Sequence, residues 1–229
     1  DVLYEDEGFM VINKEAGMNV HPGDHKSTEI SLIEQVQDLF DKKYDTLSFK
    51  PSLVHRIDRD TSGAILIAKE KKILETLLSA LQSGKIEKIY HAIVVWKPPK
   101  PRGTIEKKLK RIENAQDEAK VQVAEDGQEA VTHYRTLEEN IQGKYSLLEL
   151  RIETGRTHQI RVHLASIGCP ILWDKAYGNR SENSFAKRNT WTERQLLHAY
   201  SLSFPHPKTK LPITIIAPYK EDMQRLISL

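Results

Sequence analysis

The sequence LVHRIDRDTSG, residues 53–63, is followed at once by the apolar run AILIA, residues 64–68. An unbroken run of mostly branched apolar residues predicts a strand that is buried on both faces. The preceding stretch places two carboxylates, two arginines and a histidine within six residues, and its end, Thr-Ser-Gly, favours a turn. A charged loop that enters a buried strand can hold a reactive side chain rigidly. The sequence therefore predicts a functional loop in front of a core strand.

Asp58 is the candidate reactive group of this loop, with Arg56 two positions before it and Arg59 directly after it. Nearby cations favour the ionised carboxylate, which is suited to act as a nucleophile rather than as a general acid. On local chemistry alone, an aspartate between two arginines is more often part of a surface salt bridge. The local chemistry leaves both interpretations open.

The segment HRIDRDTSG, residues 55–63, resembles the signature of the RluA-type pseudouridine synthases, whose aspartate is the catalytic nucleophile. Ile57 stands where leucine is usual in the family, a volume-conserving exchange. The resemblance implies that Asp58 is the nucleophile and that uridines in RNA are isomerised to pseudouridine. It leaves open whether Asp58 attacks C1′, adds to the uracil ring or stabilises a route through a glycal.

Tyr90 lies in the sequence KIEKIYHAIVVW, residues 85–96, which predicts a strand entered from a basic corner. It occupies the position of the tyrosine in the family's second motif. The resemblance implies that Tyr90 lies against the target nucleoside and is a candidate to carry its proton. Without the resemblance, half-buried packing is the more common role of such a tyrosine.

The sequence TGRTHQIRVH, residues 154–163, is similar to the third motif of the family. Apolar residues recur after it at helical spacing, with Thr157 as the predicted N-cap. Arg161 lies three residues after His158, so both can occupy one flank of the helix. The resemblance implies that Arg161 pairs with Asp58 and orients it. We expect His163 to be a core histidine.

The resemblance also implies a set of residues that contact the substrate or the flanking RNA. A base inside a duplex is inaccessible, so we expect the target to be flipped out or already unpaired. The expected contacts are made by His55, Arg56, Arg59, Thr61, Arg156, His158, Gln159 and Leu197, the last as an apolar wall beside the target base. Residues 173–178, WDKAYG, match a further family block, with Trp173 where many members have glycine.

The remaining chain gives coarser predictions. Residues 9–12 predict a strand that ends at Asn13-Lys14, where the family continues with proline and this chain has Glu15. Further predictions are a helix over 28–41 capped by Ser27 or Thr28, a helix over 73–81 stopped by Gly84, a hairpin over 121–134 with its turn at Asp126-Gly127, a strand over 148–153, a polar loop over 179–194, a strand over 213–216 and a closing helix over 220–229. The basic segment 97–111 fits a solvated charge run and an RNA phosphate contact equally well.

Composition bounds the class of protein. The chain has 229 residues, one cysteine and a net charge of +2. A single cysteine excludes a disulfide framework. The small positive charge permits nucleic-acid binding but does not indicate it. No apolar run approaches the length of a membrane span. We expect one catalytic domain over residues 1–229 without an N-terminal S4-like RNA-binding domain, a cytoplasmic location, and a monomer without an obligate protein partner or membrane contact.

By resemblance, the expected fold is α+β, the pseudouridine synthase fold: a mixed, mostly antiparallel central sheet in two lobes flanked by helices, with a cleft across the middle. The expected substrate is large-subunit ribosomal RNA, with transfer RNA as the alternative, and the reaction needs no cofactor and no metal. A rival hypothesis is a metal-dependent RNA hydrolase using His55, Asp58, His158 and His163. Its weakness is that His158 and His163 are five residues apart and fall on different faces of a helix or strand. A catalytically silent RNA-binding module is the third hypothesis.

Overall fold

The computed structural model describes residues 1–22, 29–43, 49–112, 120–186 and 194–228. These ranges contain strands β1 (Val2–Glu5), β2 (Phe9–Lys14), β3 (Ser52–Leu53), β4 (Ser62–Ala68), β5 (Glu87–Val95), β6 (Arg102–Glu106), β7 (Leu109–Arg111), β8 (Val121–Val123), β9 (Val131–Ile141), β10 (Tyr145–Ile152), β11 (Leu197–Pro205) and β12 (Pro212–Ile216). The helices are α1 (Leu32–Lys43), α2 (Lys71–Gln82), α3 (Gln159–Ser166), α4 (Arg180–Ala186) and α5 (Glu221–Ile227).

The chain divides into two compact units. The first contains Asp1–Lys88 and Ala199–Pro218, and the second contains Ile89–His198 and Tyr219–Leu229. Each unit has its own buried apolar cluster.

Strand β4 is the centre of the first unit. Every residue of β4 is buried, as the apolar run predicts. It pairs antiparallel with β2 along its length and with the short strand β3 at Ile67 and Ala68, and it also neighbours β11 in the sheet. Helix α2 covers this layer with Ile73 and Leu77, and Gly84 follows it in a left-handed conformation with φ 69°. The predicted helix and its stop are therefore confirmed.

Helix α1 begins later than the sequence pattern suggests. The Glu34 carboxylate accepts hydrogen bonds from the amide of Ser31 at 2.8 Å and from its hydroxyl at 2.7 Å. The amide contact is one half of a capping box, with Ser31 at the N-cap position. The predicted caps Ser27 and Thr28 lie outside the described residues.

The second unit is built on the antiparallel strand order β5-β10-β9-β6. Helix α5 packs Met223 and Leu226 into an apolar cluster that includes Ile93 of β5, Leu147 of β10 and Trp173. The alternation predicted for residues 148–153 corresponds to β10, in which most side chains are buried. The predicted late strand and closing helix correspond to β12 and α5.

The predicted hairpin over residues 121–134 is wrong. Strand β8 pairs with β7 in a separate two-stranded sheet, while β9 pairs with β6 and β10. The chain at Gln128 instead exchanges two 2.8 Å backbone hydrogen bonds with Leu109. Gly127 permits this approach, because a Cβ there would lie 2.6 Å from the carbonyl carbon of Leu109.

Two further expectations need correction. Thr157 does not cap α3, because the cap position is His158, which has φ 54° and makes no side-chain capping bond. The expected loop over 179–194 contains α4, whose first turn is capped by the Asn179 side chain through hydrogen bonds from the amides of Ser181 and Glu182, both at 3.0 Å. Asparagine is a preferred N-cap residue.

No helix within the described ranges is both long and apolar enough to cross a membrane.

Candidate active site

Asp58 lies in a tight turn between β3 and β4. The amide of Thr61 donates a 3.1 Å hydrogen bond to the carbonyl of Asp58, and the side chain of Asp58 is partly exposed. Thr61 itself is only 1% exposed. The turn thus presents a carboxylate from a backbone that continues directly into the buried strand β4.

Lys14 fixes this turn from the end of β2. It is 1% exposed, and its Nζ donates to the carbonyls of Glu15 at 2.6 Å, Met18 at 2.9 Å and Arg59 at 2.8 Å. The amide of Gly17 also donates to the Arg59 carbonyl, at 3.0 Å. Residues 15–18 and the Asp58 turn are therefore tied together at one ammonium group.

His55 supports β4. It is 9% exposed, and its Nε2 accepts a 3.1 Å hydrogen bond from the amide of Leu66. Burial, and secondarily the charge of Lys88, lower the pKa of His55 to about 3, so the ring is neutral at physiological pH. A buried neutral ring bonded to the backbone favours a structural role over the RNA contact expected from the sequence.

The two arginines near Asp58 in the sequence lie in different environments. Arg56 is exposed. Arg59 pairs with Glu29 through Nη2 at 3.0 and 3.1 Å, and both side chains are about half exposed. An exposed ion pair of this kind contributes little to stability, so a phosphate can compete for Arg59 at small cost.

Arg161 lies in the first turn of α3 and is 5% exposed. Its Nε donates to Oδ2 of Asp174 at 2.7 Å, and its Nη2 donates to Oδ1 at 3.0 Å. The guanidinium carbon lies 5.1 Å from the centre of the Tyr177 ring, within cation–π range. A bidentate pair and a ring face therefore both act on Arg161.

Asp174 is held by its own turn. Its Oδ1 accepts hydrogen bonds from the amides of Ala176 at 2.9 Å and Tyr177 at 3.0 Å. The amide of Gly178 donates to the Asp174 carbonyl at 3.0 Å, and a Cβ at Gly178 would lie 2.2 Å from that oxygen. The Asp174 carboxylate is therefore held by backbone amides as well as by its pair with Arg161.

His158 shares Tyr177 with Arg161. Nδ1 of His158 lies 2.9 Å from the Tyr177 hydroxyl, and the same hydroxyl accepts a 2.8 Å hydrogen bond from the amide of Val121. The structure therefore brings Arg161 and His158 together on one tyrosine, as their spacing in the sequence suggests.

The amide group of Gln159 is fully engaged within the protein. Its Nε2 donates to the Val131 carbonyl at 2.9 Å and to Thr132 Oγ1 at 3.0 Å. Its Oε1 accepts from Thr154 Oγ1 at 2.7 Å and from the amide of Arg156 at 3.1 Å. A primary amide offers two donors and two lone pairs, so this geometry favours a structural role over the predicted RNA contact.

Two neighbours of Gln159 differ in exposure. Arg156 is exposed, with Nε donating to the Glu129 carbonyl at 3.2 Å. His163 is 0% exposed, and its ring nitrogens contact Thr132 Oγ1 at 2.9 Å and the Lys107 carbonyl at 3.0 Å. The prediction of a core histidine is confirmed.

Tyr90 and Leu197 are both buried residues of the second unit. Tyr90 is 6% exposed and lies opposite Leu150 in the pairing of β5 with β10. Leu197 is 3% exposed, and its carbonyl accepts a 2.9 Å hydrogen bond from Nη1 of Arg194. Asp58 belongs to the first unit, so its pairing with Arg161 and the approach of Tyr90 would join the two units and stay predictions.

Residues 8–166 match the model of the RNA pseudouridylate synthase family. This chain belongs to that family. The membership confirms the resemblance and the class of enzyme expected from the sequence, an RNA pseudouridine synthase.

Similar pseudouridine synthases cover the whole chain. The ribosomal large subunit pseudouridine synthase C of Buchnera aphidicola subsp. Baizongia pistaciae is 39% identical over 235 residues, with 99% of this chain and 70% of that protein covered. The ribosomal large subunit pseudouridine synthase D of Xylella fastidiosa is 36% identical over 236 residues, covering 100% of this chain and 68% of that protein. This chain thus spans about two thirds of their length.

The fold agrees with the family. The solved structure of human RNA pseudouridylate synthase domain containing 4 superposes with a TM-score of 0.78 at 23% identity, covering 99% of this chain and 91% of that one. The α+β class and the largely antiparallel sheet are therefore confirmed. The expected cleft across the middle of the fold stays a prediction.

Three residues of this pseudouridine synthase were missed by sequence reasoning. Lys14, Asp174 and Tyr177 all lie in segments that resemble the family, but nothing local assigns them a partner. The available signals were a lysine closing an apolar strand at Lys14 and an aspartate and a tyrosine inside the WDKAYG block.

Proposed function

We propose that this protein isomerises specific uridines in large-subunit ribosomal RNA to pseudouridine, with Asp58 as the nucleophile. The observation that carries the proposal is the family match, which includes the HRIDRDTSG segment, together with the presentation of Asp58 on a turn clamped by Lys14. A rigid scaffold behind a partly exposed carboxylate is what a positioned nucleophile requires.

The reaction breaks the N1–C1′ bond of uridine, turns the uracil over and forms a C5–C1′ bond. N1 gains a proton and C5 loses one, so atoms and charge balance without a redox partner. Asp58 supplies the carboxylate in all three routes named above, as a nucleophile at C1′ or on the ring or as a stabilising group in the glycal route. We assign Tyr90 as the proton carrier and Arg161 as the cation that orients Asp58.

The RNA is proposed to contact the exposed or partly exposed basic residues of the predicted set. Arg56, Arg59 and Arg156 offer guanidinium groups suited to phosphates. His158 is partly exposed beside Tyr177. Thr61 and Leu197 are buried, and we retain Leu197 as the apolar wall beside an extruded base.

Ribosomal RNA is favoured over transfer RNA because the relatives described above are named as ribosomal large subunit synthases. A substrate of that kind also implies a cytoplasmic location. We retain a monomer without an obligate protein partner as part of the proposal.

The rival metal-dependent hydrolase is disfavoured by how its histidines are used. Both ring nitrogens of His163 contact protein groups, and Nε2 of His55 accepts the Leu66 amide. Among the described residues, no three His, Cys, Asp or Glu side chains converge in a manner suited to a metal ion.

Mapping of pseudouridines in cells with and without this protein tests the proposal. We expect the loss of one or a few pseudouridines in large-subunit ribosomal RNA and their return when the gene is restored. Loss confined to transfer RNA would replace the substrate assignment. An unchanged map of both RNAs would refute the proposed function.

A further inference from the structure

The guanidinium of Arg161 is restrained by two separate contacts. The side-on pair with Asp174 consists of two N–H···O bonds, from Nε and Nη2, and sets the orientation of the group. The Tyr177 ring, whose centre lies 5.1 Å from the guanidinium carbon, adds a cation–π contact. Asp174 engages Nε and Nη2, so Nη1 lies outside this pair. A lysine could not be held in this way, because an ammonium has no fork geometry.

Tyr177 also positions the ring of His158. Its hydroxyl oxygen accepts the Val121 amide proton at 2.8 Å and lies 2.9 Å from Nδ1 of His158. The same hydroxyl is therefore tied to the backbone at Val121 and to the imidazole of His158.

Asp174 and Tyr177 lie in one turn, and the backbone is constrained at both ends of that turn. Trp173 enters it with φ 67° and packs into the apolar cluster of the second unit. Gly178 closes it at a point where a Cβ would lie 2.2 Å from a backbone oxygen. A bulky residue at positive φ persists only where the surrounding structure determines it.

We propose that Asp174 and Tyr177 are positioning residues of the isomerase site, which hold Arg161 in a single orientation and fix the ring of His158 through Nδ1. The inference rests on the proposed function and deepens it. Neither residue contacts the reacting atoms in this account, since both act through Arg161 and His158.

The competing explanation is that the Arg161–Asp174 pair only stabilises the fold. Removal of one partner from a buried pair leaves an uncompensated charge and is strongly destabilising. A purely structural role would lower stability and leave kcat of the folded fraction unchanged. A positioning role lowers kcat in protein that is still folded and still binds RNA.

Tyr177→Leu and Tyr177→Phe separate these explanations, with Tyr145→Phe as the matched control. Tyr145 is a buried phenol in the apolar cluster of the same unit. With a ribosomal RNA fragment that the wild-type protein modifies, we expect Tyr177→Leu to lower kcat at least about tenfold while the Kd for RNA changes by less than about threefold. Tyr145→Phe should retain wild-type kcat. Wild-type kcat in folded Tyr177→Leu overturns the inference.

A double-mutant cycle tests the hydroxyl separately. If the Tyr177 hydroxyl acts through His158, the effect of Tyr177→Phe on kcat should disappear in a His158→Ala background. Fully additive effects on kcat would contradict the action of the hydroxyl through His158.

Asp174→Asn provides an independent check, because asparagine with its oxygen at the Oδ1 position can keep the bonds from the backbone amides and from Nη2 of Arg161 and loses only the bond from Nε. We expect a folded variant to lose about tenfold in kcat or more at nearly unchanged Kd. Wild-type kcat there would also overturn the inference, and if the variant does not fold, the Tyr177 variants decide. Failure of the wild-type protein to form pseudouridine would instead refute the proposed function on which this inference rests.

Discussion

The ammonium of Lys14 donates a 2.8 Å hydrogen bond to the carbonyl of Arg59, the residue that follows Asp58. In the pairing of β2 with β4, Lys14 lies opposite Gly63. The last residue of the buried strand β2 therefore holds the turn that leads into β4. The position of the proposed nucleophile is therefore set by the core of the first unit.

Lys14→Met tests this arrangement. Methionine fills a similar volume but leaves the three carbonyls without the ammonium, and an unsatisfied buried polar group costs about 1–3 kcal/mol. We expect the free energy of unfolding in urea to fall by at least about 2 kcal/mol and kcat of the remaining folded enzyme to fall with it. Lys85→Met, at an exposed lysine, is the control. Wild-type stability and kcat in Lys14→Met would contradict the clamp.

Gly63→Ala tests the close approach of β4 and β11. Gly63 has φ 112°, and a Cβ there would lie 2.3 Å from the carbonyl oxygen of Ala199. Backbone atoms cannot yield as a flexible side chain does, so we expect a loss of about 3 kcal/mol or more, or insoluble protein. Gly84→Ala is the matched control, because Gly84 has φ 69° and a Cβ there would meet no atom within 4 Å. It should lose only about 1–2 kcal/mol, and equal losses at both sites would show that the contact is unimportant.

The buried histidines predict acid sensitivity. Burial, and then nearby cations, lower the pKa of His55 to about 3 and that of His91 to about 4. Below pH 6.5 the unfolded chain binds protons at these rings and the folded chain does not, so stability is lost as pH falls. Each ring contributes a slope of up to about 1.4 kcal/mol per pH unit.

His55→Gln should flatten this dependence. Glutamine can offer an oxygen to the Leu66 amide and does not titrate. In urea unfolding between pH 7 and 4, we expect the slope of stability against pH to decrease relative to the wild-type protein. An unchanged slope would mean that His55 is protonated in the folded state.

Variants of Gln159 and Arg156 should distinguish a residue that stabilises the fold from a residue that contacts RNA. Gln159→Glu removes two donors from a buried amide, so we expect a loss of at least about 2 kcal/mol in the free energy of unfolding. Arg156→Gln, at an exposed position, should leave stability within about 0.5 kcal/mol and weaken RNA binding in a filter assay. The reverse pattern would restore Gln159 as an RNA contact.

The elements that could be predicted from the sequence are those specified locally. The apolar run of β4 and the helical spacing before Gly84 needed no knowledge of the rest of the chain. The hairpin over 121–134 failed because β8 pairs with β7, and Leu109 of β7 also bonds the backbone of Gln128, directly after the predicted turn residue Gly127. The turn signal at Asp126-Gly127 does not indicate this partner. The sequence pattern predicts the strands in this region, but it does not predict which strands pair with each other.

The candidate site shows the same division. The third motif drew attention to Arg161, but its partner Asp174 lies in a turn 13 residues further along. Trp173 is the instructive case, because the family's usual glycine there agrees with the φ of 67° that tryptophan adopts in this chain. The sequence pattern alone could not predict that a bulky residue would take this conformation.

The central claim is that Asp58 performs the chemistry. The most direct test uses ribosomal RNA whose uridines carry tritium at C5, and it compares the release of tritium by the wild-type protein and by Asp58→Asn. We predict release by the wild-type protein and none above background by Asp58→Asn, with the same Kd for RNA within about threefold. Asp60→Asn, in the same turn, should keep measurable release. Normal release by Asp58→Asn would contradict the account.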